Sequence, residues 1–145
     1  MANDELYTPK YIFDALGVIF ELDVCAPIGG PLHTPAIDYY DIESDGLKCD
    51  WYGKVFMNPP FSGPKEWVNK WLDHKNGICL LPMGGNGNWL GKMWDSEAVC
   101  LLMPPNVPFI NTDGEIKKIS YRISLWAIGE SNITALKMSN LGRIR

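Results

Sequence analysis

The stretch Val55-Phe56-Met57-Asn58-Pro59-Pro60-Phe61 joins a short apolar strand to a stiff polar loop. Its three apolar residues predict a buried strand, and its two prolines, which cannot donate to a β-ladder, predict that the strand stops at Asn58. A helix is predicted after the loop, because Gly63 and Pro64 are typical of a helix start. Its apolar face would consist of Trp67, Val68, Trp71 and Leu72. Asn58 is therefore expected at the carboxyl end of a strand, where open α/β sheets bind their ligands.

Strands and helices alternate along the rest of the chain. Thr8 and Pro9 predict a helix start with Thr8 as the N-cap, and Gly17 predicts its end. The predicted strands cover residues 18–24, 77–81, 98–103 and 120–128, with a weak one over 134–138; residues 89–94 form a short helix and residues 27–35 a loop. This alternation predicts an α/β fold with a mostly parallel sheet and helices on both of its faces.

The composition is that of one globular domain spanning residues 1–145. With 46% hydrophobic and 21% charged residues, the chain can bury a core without a disulfide or metal. It has no apolar run near 18 residues and an acidic start, so we expect no membrane span, no signal peptide and a cytoplasmic location. The four cysteines are widely spaced and the two histidines isolated, which predicts reduced thiols and no metal site.

The net charge of −4 is distributed unevenly. Residues 1–50 carry ten acids and two bases, residues 51–110 carry five bases and four acids, and residues 111–145 carry six bases and three acids. A basic last third is suited to phosphates. On charge alone, however, ordinary solvated side chains remain the simpler interpretation.

The four residues from Asn58 to Phe61 have a physical logic for methylating an aromatic amine. Such an amine is a weak nucleophile because its lone pair is delocalised into the ring. The Asn58 side-chain oxygen and the Pro59 carbonyl can accept from its two N–H bonds and free that lone pair, while Pro59 and Pro60 stiffen the loop. Phe61 offers a face on which an extruded base can stack. Asn-Pro-Pro is also ordinary turn chemistry, so the loop alone leaves both interpretations open.

Further motifs accompany this loop in a fixed order. They are Tyr7-Thr8-Pro9, Asp23-Val24-Cys25-Ala26, Tyr39-Tyr40, Asp45-Gly46-Leu47, Trp51, Trp67-Val68-x-Lys70, Leu80-Leu81-Pro82 and Trp89. The series resembles the short phage and prophage N6-adenine DNA methyltransferases of the Dam-like type. The resemblance extends to about residue 90, and the ordered series is more specific than any one motif.

This resemblance implies a compact Rossmann-like fold, S-adenosylmethionine as cofactor, and methyl transfer to the N6 amine of a flipped adenine in DNA. The implied catalytic residues are Asn58, Pro59, Pro60 and Phe61. The implied cofactor-binding residues are Thr8, Asp23 and Ala26 around the methionine part, and Asp45 near the adenine. Asp23 would face the cofactor's ammonium, and the acidic first third would suit a cationic ligand.

The chain also departs from the family pattern. Leu6 stands where tryptophan is frequent, and Phe61 where tyrosine is common. No G-x-G turn follows the first predicted strand, and whether Gly29-Gly30 replaces it is open. Residues 104–119 match poorly and are a candidate target-contacting loop. Little chain remains for a separate target-recognition domain, so selectivity is low, carried by loops around 27–44 and 104–119, or supplied by a second subunit of a homo-oligomer.

Several alternatives stay open at this point. Thr8 as a plain N-cap, Asp23 as a strand-end cap and Asp45 as a turn former are each compatible with the sequence. The tryptophans at 67, 71, 89 and 94 have helical spacing typical of core residues. Within the same chemistry, the amine could belong to RNA or to a glutamine amide. Outside it, the chain could be a non-catalytic DNA-binding protein that retains the fold.

Overall fold

The computed structural model describes residues 5–84 and 88–144, which form four helices and ten strands. The helices are α1 (Lys10–Leu16), α2 (Lys65–His74), α3 (Trp89–Trp94) and α4 (Glu130–Met138). The strands are β1 (Leu6–Tyr7), β2 (Phe20–Asp23), β3 (Ala36–Tyr39), β4 (Val55–Met57), β5 (Gly77–Met83), β6 (Val99–Leu102), β7 (Pro108–Asn111), β8 (Ile116–Lys118), β9 (Arg122–Ile128) and β10 (Arg143–Ile144). The acidic start of the chain, from which we predicted no signal peptide, lies outside the described residues except for Glu5.

Seven strands form one large mixed sheet in the order β10-β6-β9-β5-β4-β2-β3. The pairs β2–β3, β2–β4 and β4–β5 are parallel, whereas β5–β9, β6–β9 and β6–β10 are antiparallel. The fold is therefore mixed α/β, and the predicted mostly parallel sheet is not confirmed. The physical reason lies in the connection after β6: parallel neighbours need a crossover, but here the chain returns through β7 and β8 and inserts β9 in the opposite direction.

Successive residues of the central strands face opposite sides of this sheet. Phe56 and Ile78 belong to one buried cluster with side chains of α1 and α4. Val55, Met57 and Cys79 belong to another with side chains of α2 and α3. Because side chains alternate across a strand, the two helix pairs lie on opposite faces.

The local predictions are most accurate around the central strands. The bounds of β4 and α3 are those predicted, residues 27–35 are a loop, and α1 ends at Gly17 in the left-handed conformation with φ 64°. By contrast, residues 134–138 are not a strand but the last part of α4. Asn132 and Leu136 are buried one helical turn apart, which places them on a single helix face.

The predicted N-cap is also wrong. Pro9, with extended φ −61° and ψ 143°, occupies the cap position of α1 and makes no side-chain cap hydrogen bond. The Thr8 side chain instead turns toward Asn58. Thr8 is therefore tied to the loop after β4 and not to α1.

A second, three-stranded antiparallel sheet in the order β1-β7-β8 was not predicted. It contains most of the poorly matching segment 104–119, which forms a hairpin whose strands pair Phe109 with Lys117. β1 joins the hairpin through the pairs Leu6–Asn111 and Tyr7–Ile110. The small sheet thus lies beside the start of the chain. Among the described residues, no helix has the length and apolar character needed to cross a membrane.

Candidate active site

The carboxyl ends of β2, β3 and β4 meet at one edge of the large sheet. The chain passes from β2 to β3 on one side, then returns to place β4 on the other side of β2. Such a reversal of strand order opens a crevice beyond the strand ends, the usual ligand site of open α/β sheets. The segments that follow the three strands begin at Val24, Tyr40 and Asn58.

A cavity of about 230 Å³ lies in this crevice. Its polar wall contains three carboxylates, those of Glu5, Asp41 and Asp45. The remainder is formed by Leu6, Cys25, Ala26, Pro27, Ile42, Gly46, Asn58, Pro60 and Trp67. The volume lies just below the range of roughly 300–1,000 Å³ common for small-molecule sites. A narrow recess lined by Thr8, Asp23 and Thr34 adjoins it through the shared residues Leu6, Cys25, Pro27 and Asn58.

The amide of Asn58 is held by its nitrogen. Nδ2 donates to Thr8 Oγ1 at 3.1 Å and to the Leu6 carbonyl at 3.5 Å. Because a carbonyl oxygen can only accept, these contacts fix Nδ2 on the side of β1 and turn Oδ1 away from it. Asn58 is partly exposed and lines the cavity, so its oxygen is the group available to a ligand.

The other three residues of the loop have different surroundings. Pro59 is buried, and Pro60 lines the cavity while its carbonyl accepts from the Gly63 amide at 3.2 Å. Phe61 is not in the lining of that cavity. It is half-buried against the core cluster of α1 and α4, with its ring edge-on to Phe109 at a centroid distance of 5.9 Å. The loop therefore connects the cavity to the small sheet.

Asp23 is almost fully buried at the end of β2, in the recess and not in the main cavity. Its carboxylate accepts from the Cys25 amide at 3.2 Å, which is the geometry of a strand-end cap. Burial raises the pKa of Asp23 to about 7, against the lowering effect of hydrogen bonds from the Cys25 amide and the Thr34 hydroxyl. The group therefore changes charge near neutral pH.

Ala26 and Asp45 line the main cavity directly. The Ala26 amide donates to the Tyr40 carbonyl at 2.9 Å, which ties the segment after β2 to the end of β3. Asp45 has a left-handed backbone with φ 58°, and its carbonyl accepts from the Lys48 amide at 2.9 Å in a turn. Asp45 is thus both a turn residue and a wall of the cavity.

The electrostatics of the cavity favour a cationic ligand. No lysine, arginine or histidine stands among the described residues that line it. The exposed Lys48 ammonium lies 3.8 Å from Asp45 Oδ2 at the surface, and neither Glu5 nor Asp41 forms an ion pair within the described residues. Asp41 accepts from the Gly29 amide, and this hydrogen bond, with others from Glu43 and Ser44, lowers the pKa of its carboxyl. By contrast, burial raises the pKa of the Cys25 thiol, with a contribution from the Asp23 charge, so Cys25 is a neutral wall residue. In residues 5–84 and 88–144, no group of three or more His, Cys, Asp or Glu residues is arranged to hold a metal ion.

Comparison with known families gives a match that covers most of the chain. The family described as DNA N-6-adenine-methyltransferase (Dam) matches residues 1–125 of the 145. The chain belongs to the Dam family. The family suggested by the ordered motifs is thereby confirmed, and the match extends beyond residue 90 through the hairpin to most of β9. A search among curated proteins found no match.

Within this Dam-family domain, the structure brings together only part of the predicted residue set. Asn58, Pro60, Ala26 and Asp45 meet at the main cavity, whereas Thr8 and Asp23 line the adjoining recess. Phe61 lies toward the small sheet. Leu6 also lines the cavity. Tyr40 packs against the core cluster of α2 and α3, and its hydroxyl donates to the Asp50 carbonyl at 2.7 Å.

The residues that hold the Asp45 loop were not predicted as site residues. Lys70 of α2 donates through Nζ to the carbonyls of Gly46, Leu47 and Cys49, and lies 5.2 Å from the centre of the Trp51 ring. The Trp51 indole also donates to the Gly46 carbonyl, at 2.8 Å. A lysine that satisfies three carbonyls of one loop fixes the shape of that loop.

Trp67 lines the cavity, although its helical spacing predicted a core residue. A Cβ atom on Gly46 would overlap the Val24 carbonyl and come within 3.1 Å of the Trp67 ring, so the loop passes the ring with no room for a side chain. Trp67 and Lys70 are three residues apart on α2, a spacing that puts both side chains on one helix face. In the sequence, this spacing and the Asp45-Gly46 turn are the features from which a contact between α2 and the Asp45 loop could have been predicted.

Proposed function

We propose that this Dam-family protein transfers a methyl group from S-adenosylmethionine to the N6 amine of adenine in DNA. The observation that carries the proposal is the Asn58 amide, which is anchored by its nitrogen and lines an acidic cavity at the reversal point of the sheet. A fixed acceptor beside a cavity suited to a cation is what methylation of an aromatic amine requires. Family membership independently supports the reaction class.

The acidic and apolar residues that line the cavity and the recess fit S-adenosylmethionine, which carries a sulfonium, an ammonium and an adenine. We assign the adenine to the part of the cavity walled by Asp45 and the Trp67 ring, since a carboxylate accepts from an amino group and an indole packs on a ring face. The methionine part is assigned to the cavity wall at Ala26, with its ammonium at the mouth of the recess that contains Thr8 and Asp23, where an ionised Asp23 would pair with it. Bound there, the cofactor supplies the methyl group and its own leaving group.

The protein's contribution is then to prepare the target amine. Asn58 Oδ1 accepts from one N–H bond and the Pro59 carbonyl from the other, which draws the nitrogen toward tetrahedral geometry and frees its lone pair. Thr8 keeps Oδ1 oriented by accepting from Nδ2, so we propose it as a positioning residue for Asn58 as well as a cofactor contact. The two prolines limit movement of these acceptors.

We further propose that Phe61 stacks on the extruded adenine. The ring is half-buried and is held edge-on by Phe109, so it is a fixed surface at the end of the loop opposite Asn58. A base taken out of the duplex loses its stacking partners, and an aromatic face restores part of that energy.

The test is transfer of labelled methyl from S-adenosylmethionine to unmodified DNA, with RNA and a mixture of unmodified proteins as parallel substrates. We expect label in DNA alone. Label in RNA or protein alone would assign the amine to the other substrate class. Cofactor binding without transfer to any of the three would indicate a protein that retains the fold but not the reaction.

A further inference from the structure

The second sheet places an exposed basic strand beside the Asn58–Phe61 loop. β8 is an edge strand, its three residues are exposed, and it carries Lys117 and Lys118. Within the described part of the chain, neither lysine forms an ion pair with a carboxylate. Both charges are therefore available to a partner.

The hairpin is tied to the loop at two points. β1 pairs with β7 through Leu6 and Asn111, and the Leu6 carbonyl accepts from the Asn58 amide. In addition, Phe109 of β7 packs edge-on against Phe61. β8 thus lies two strand spacings, about 10 Å, from the strand that anchors Asn58.

The strand register places the two lysines on opposite faces of the small sheet. Lys117 is paired with Phe109, and Lys118 with Pro108. Residues directly opposite in an antiparallel pair share a face, and neighbours along a strand do not. Lys117 therefore shares the face of Phe109 and Leu6, on which Phe61 packs, whereas Lys118 lies on the other face.

We propose that Lys117 binds the DNA backbone next to the flipped adenine. A flipped base rotates about its own backbone, so the phosphates on either side of it stay at the rim of the site that receives the base. Lys117 supplies an unpaired, exposed ammonium at that rim, on the sheet face against which Phe61 packs. Asp113 and Glu115 stand at the turn of the hairpin, so the phosphate would approach Lys117 from the end of β8 that lies away from this turn.

This assignment rests on the proposed function. It adds that Lys117 contributes affinity for DNA of any sequence, because a contact to phosphate carries no sequence preference. Lysines on edge strands also serve to block strand pairing between molecules. In that role, Lys117 and Lys118 would be equivalent, since both are exposed and only one residue apart. The proposal requires that they differ.

The experiment compares the parent with Lys117→Ala and with the matched control Lys118→Ala. Binding to a mixed-sequence duplex is measured by fluorescence anisotropy over a range of salt concentrations, with S-adenosylhomocysteine present. For Lys117→Ala, we expect weaker binding and a salt slope reduced by about 1. Lys118→Ala should stay near the parent in both quantities. Melting temperature and calorimetric cofactor affinity should be unchanged in both variants.

The outcomes separate the two proposals. If the parent binds and methylates DNA but the two variants have equal salt slopes, the Lys117 assignment is overturned and the proposed function stands. A larger effect of Lys118→Ala would also overturn it, because the DNA would then lie on the other face. A parent that neither binds nor methylates DNA would overturn the proposed function together with this inference.

Discussion

The walls of the cavity and the β7–β8 hairpin lie on two sides of the Asn58–Phe61 loop and differ in almost every respect. The cavity is concave and acidic, and its loop from Asp45 to Cys49 is held by Lys70. The hairpin presents an exposed basic edge strand. Asn58 faces the first region and Phe61 packs on the second. Under the proposed function, this difference would place the cationic cofactor on one side and anionic DNA on the other, with the transferred group between them.

The largest effect on turnover should come from Asn58, which lies between the cavity and the hairpin. Asn58→Ala removes the preorganised acceptor of the target amine, so we expect turnover to fall ~10²–10³-fold. Cofactor affinity, measured by calorimetry, should change much less, because the role proposed for Asn58 is on the other substrate. Turnover equal to that of the parent would remove Asn58 from the chemistry.

The second-largest effect is expected on cofactor affinity, from the carboxylates of the cavity. Asp45→Ala should weaken S-adenosylmethionine binding by about 1.5–3 kcal/mol, the usual contribution of a hydrogen bond to a charged group. Glu43→Ala is a matched control, since Glu43 is exposed on the same loop and does not line the cavity. If calorimetry gives both variants the parent's affinity, the cofactor adenine lies elsewhere.

On the hairpin side, Phe61→Ala should raise the KM for DNA or lower turnover, with a cost of about 1–3 kcal/mol for the lost base stacking. Phe61→Tyr keeps the ring and should retain most activity. Cofactor affinity should stay near the parent value in both. Because Phe61 also packs on Phe109, melting temperatures are needed: if Phe61→Ala unfolds the domain and Phe61→Tyr is inactive, the ring is structural.

The smallest expected effect is a pH dependence of cofactor binding. With its pKa raised to about 7 by burial, Asp23 is mostly protonated at pH 5.5, and an ammonium pairs only with the ionised form. Affinity should therefore rise about tenfold between pH 5.5 and pH 7, below the ordinary α-amino pKa of roughly 7.7–8.0. Asp23→Asn should abolish this rise. A variant with altered stability but an unchanged pH profile would make Asp23 a strand-end cap alone.

The comparison also explains how much was predictable from the sequence. β4 and the Asn58–Phe61 loop were predicted because apolar runs and prolines act locally. Asp45 and Ala26 were placed by the family resemblance and meet at the cavity. The contact between Thr8 and Asn58 spans 50 residues and depends on how β1 lies against β4, which no local pattern encodes.

The errors have the same origin. Residues 134–138 were predicted as a weak strand, but they belong to α4. Asn132 and Leu136 are buried at helical spacing, and this tertiary packing overrides the local preference. The mixed sheet follows from the insertion of β9 between β5 and β6, a long-range event. The sequence predicted Lys70 and Trp67 as helix and motif residues but not as site residues, since their partners lie in a loop 21–24 residues away along the chain.

The most direct test of the central claim is nucleoside analysis of DNA after incubation with methyl-labelled S-adenosylmethionine. The parent and Asn58→Ala are compared at equal cofactor saturation. We predict that the parent places the label in N6-methyl-2′-deoxyadenosine of the DNA, and that the Asn58→Ala variant yields at most a hundredth of it in the same time. Label on another base, or equal label from the two proteins, would contradict the account.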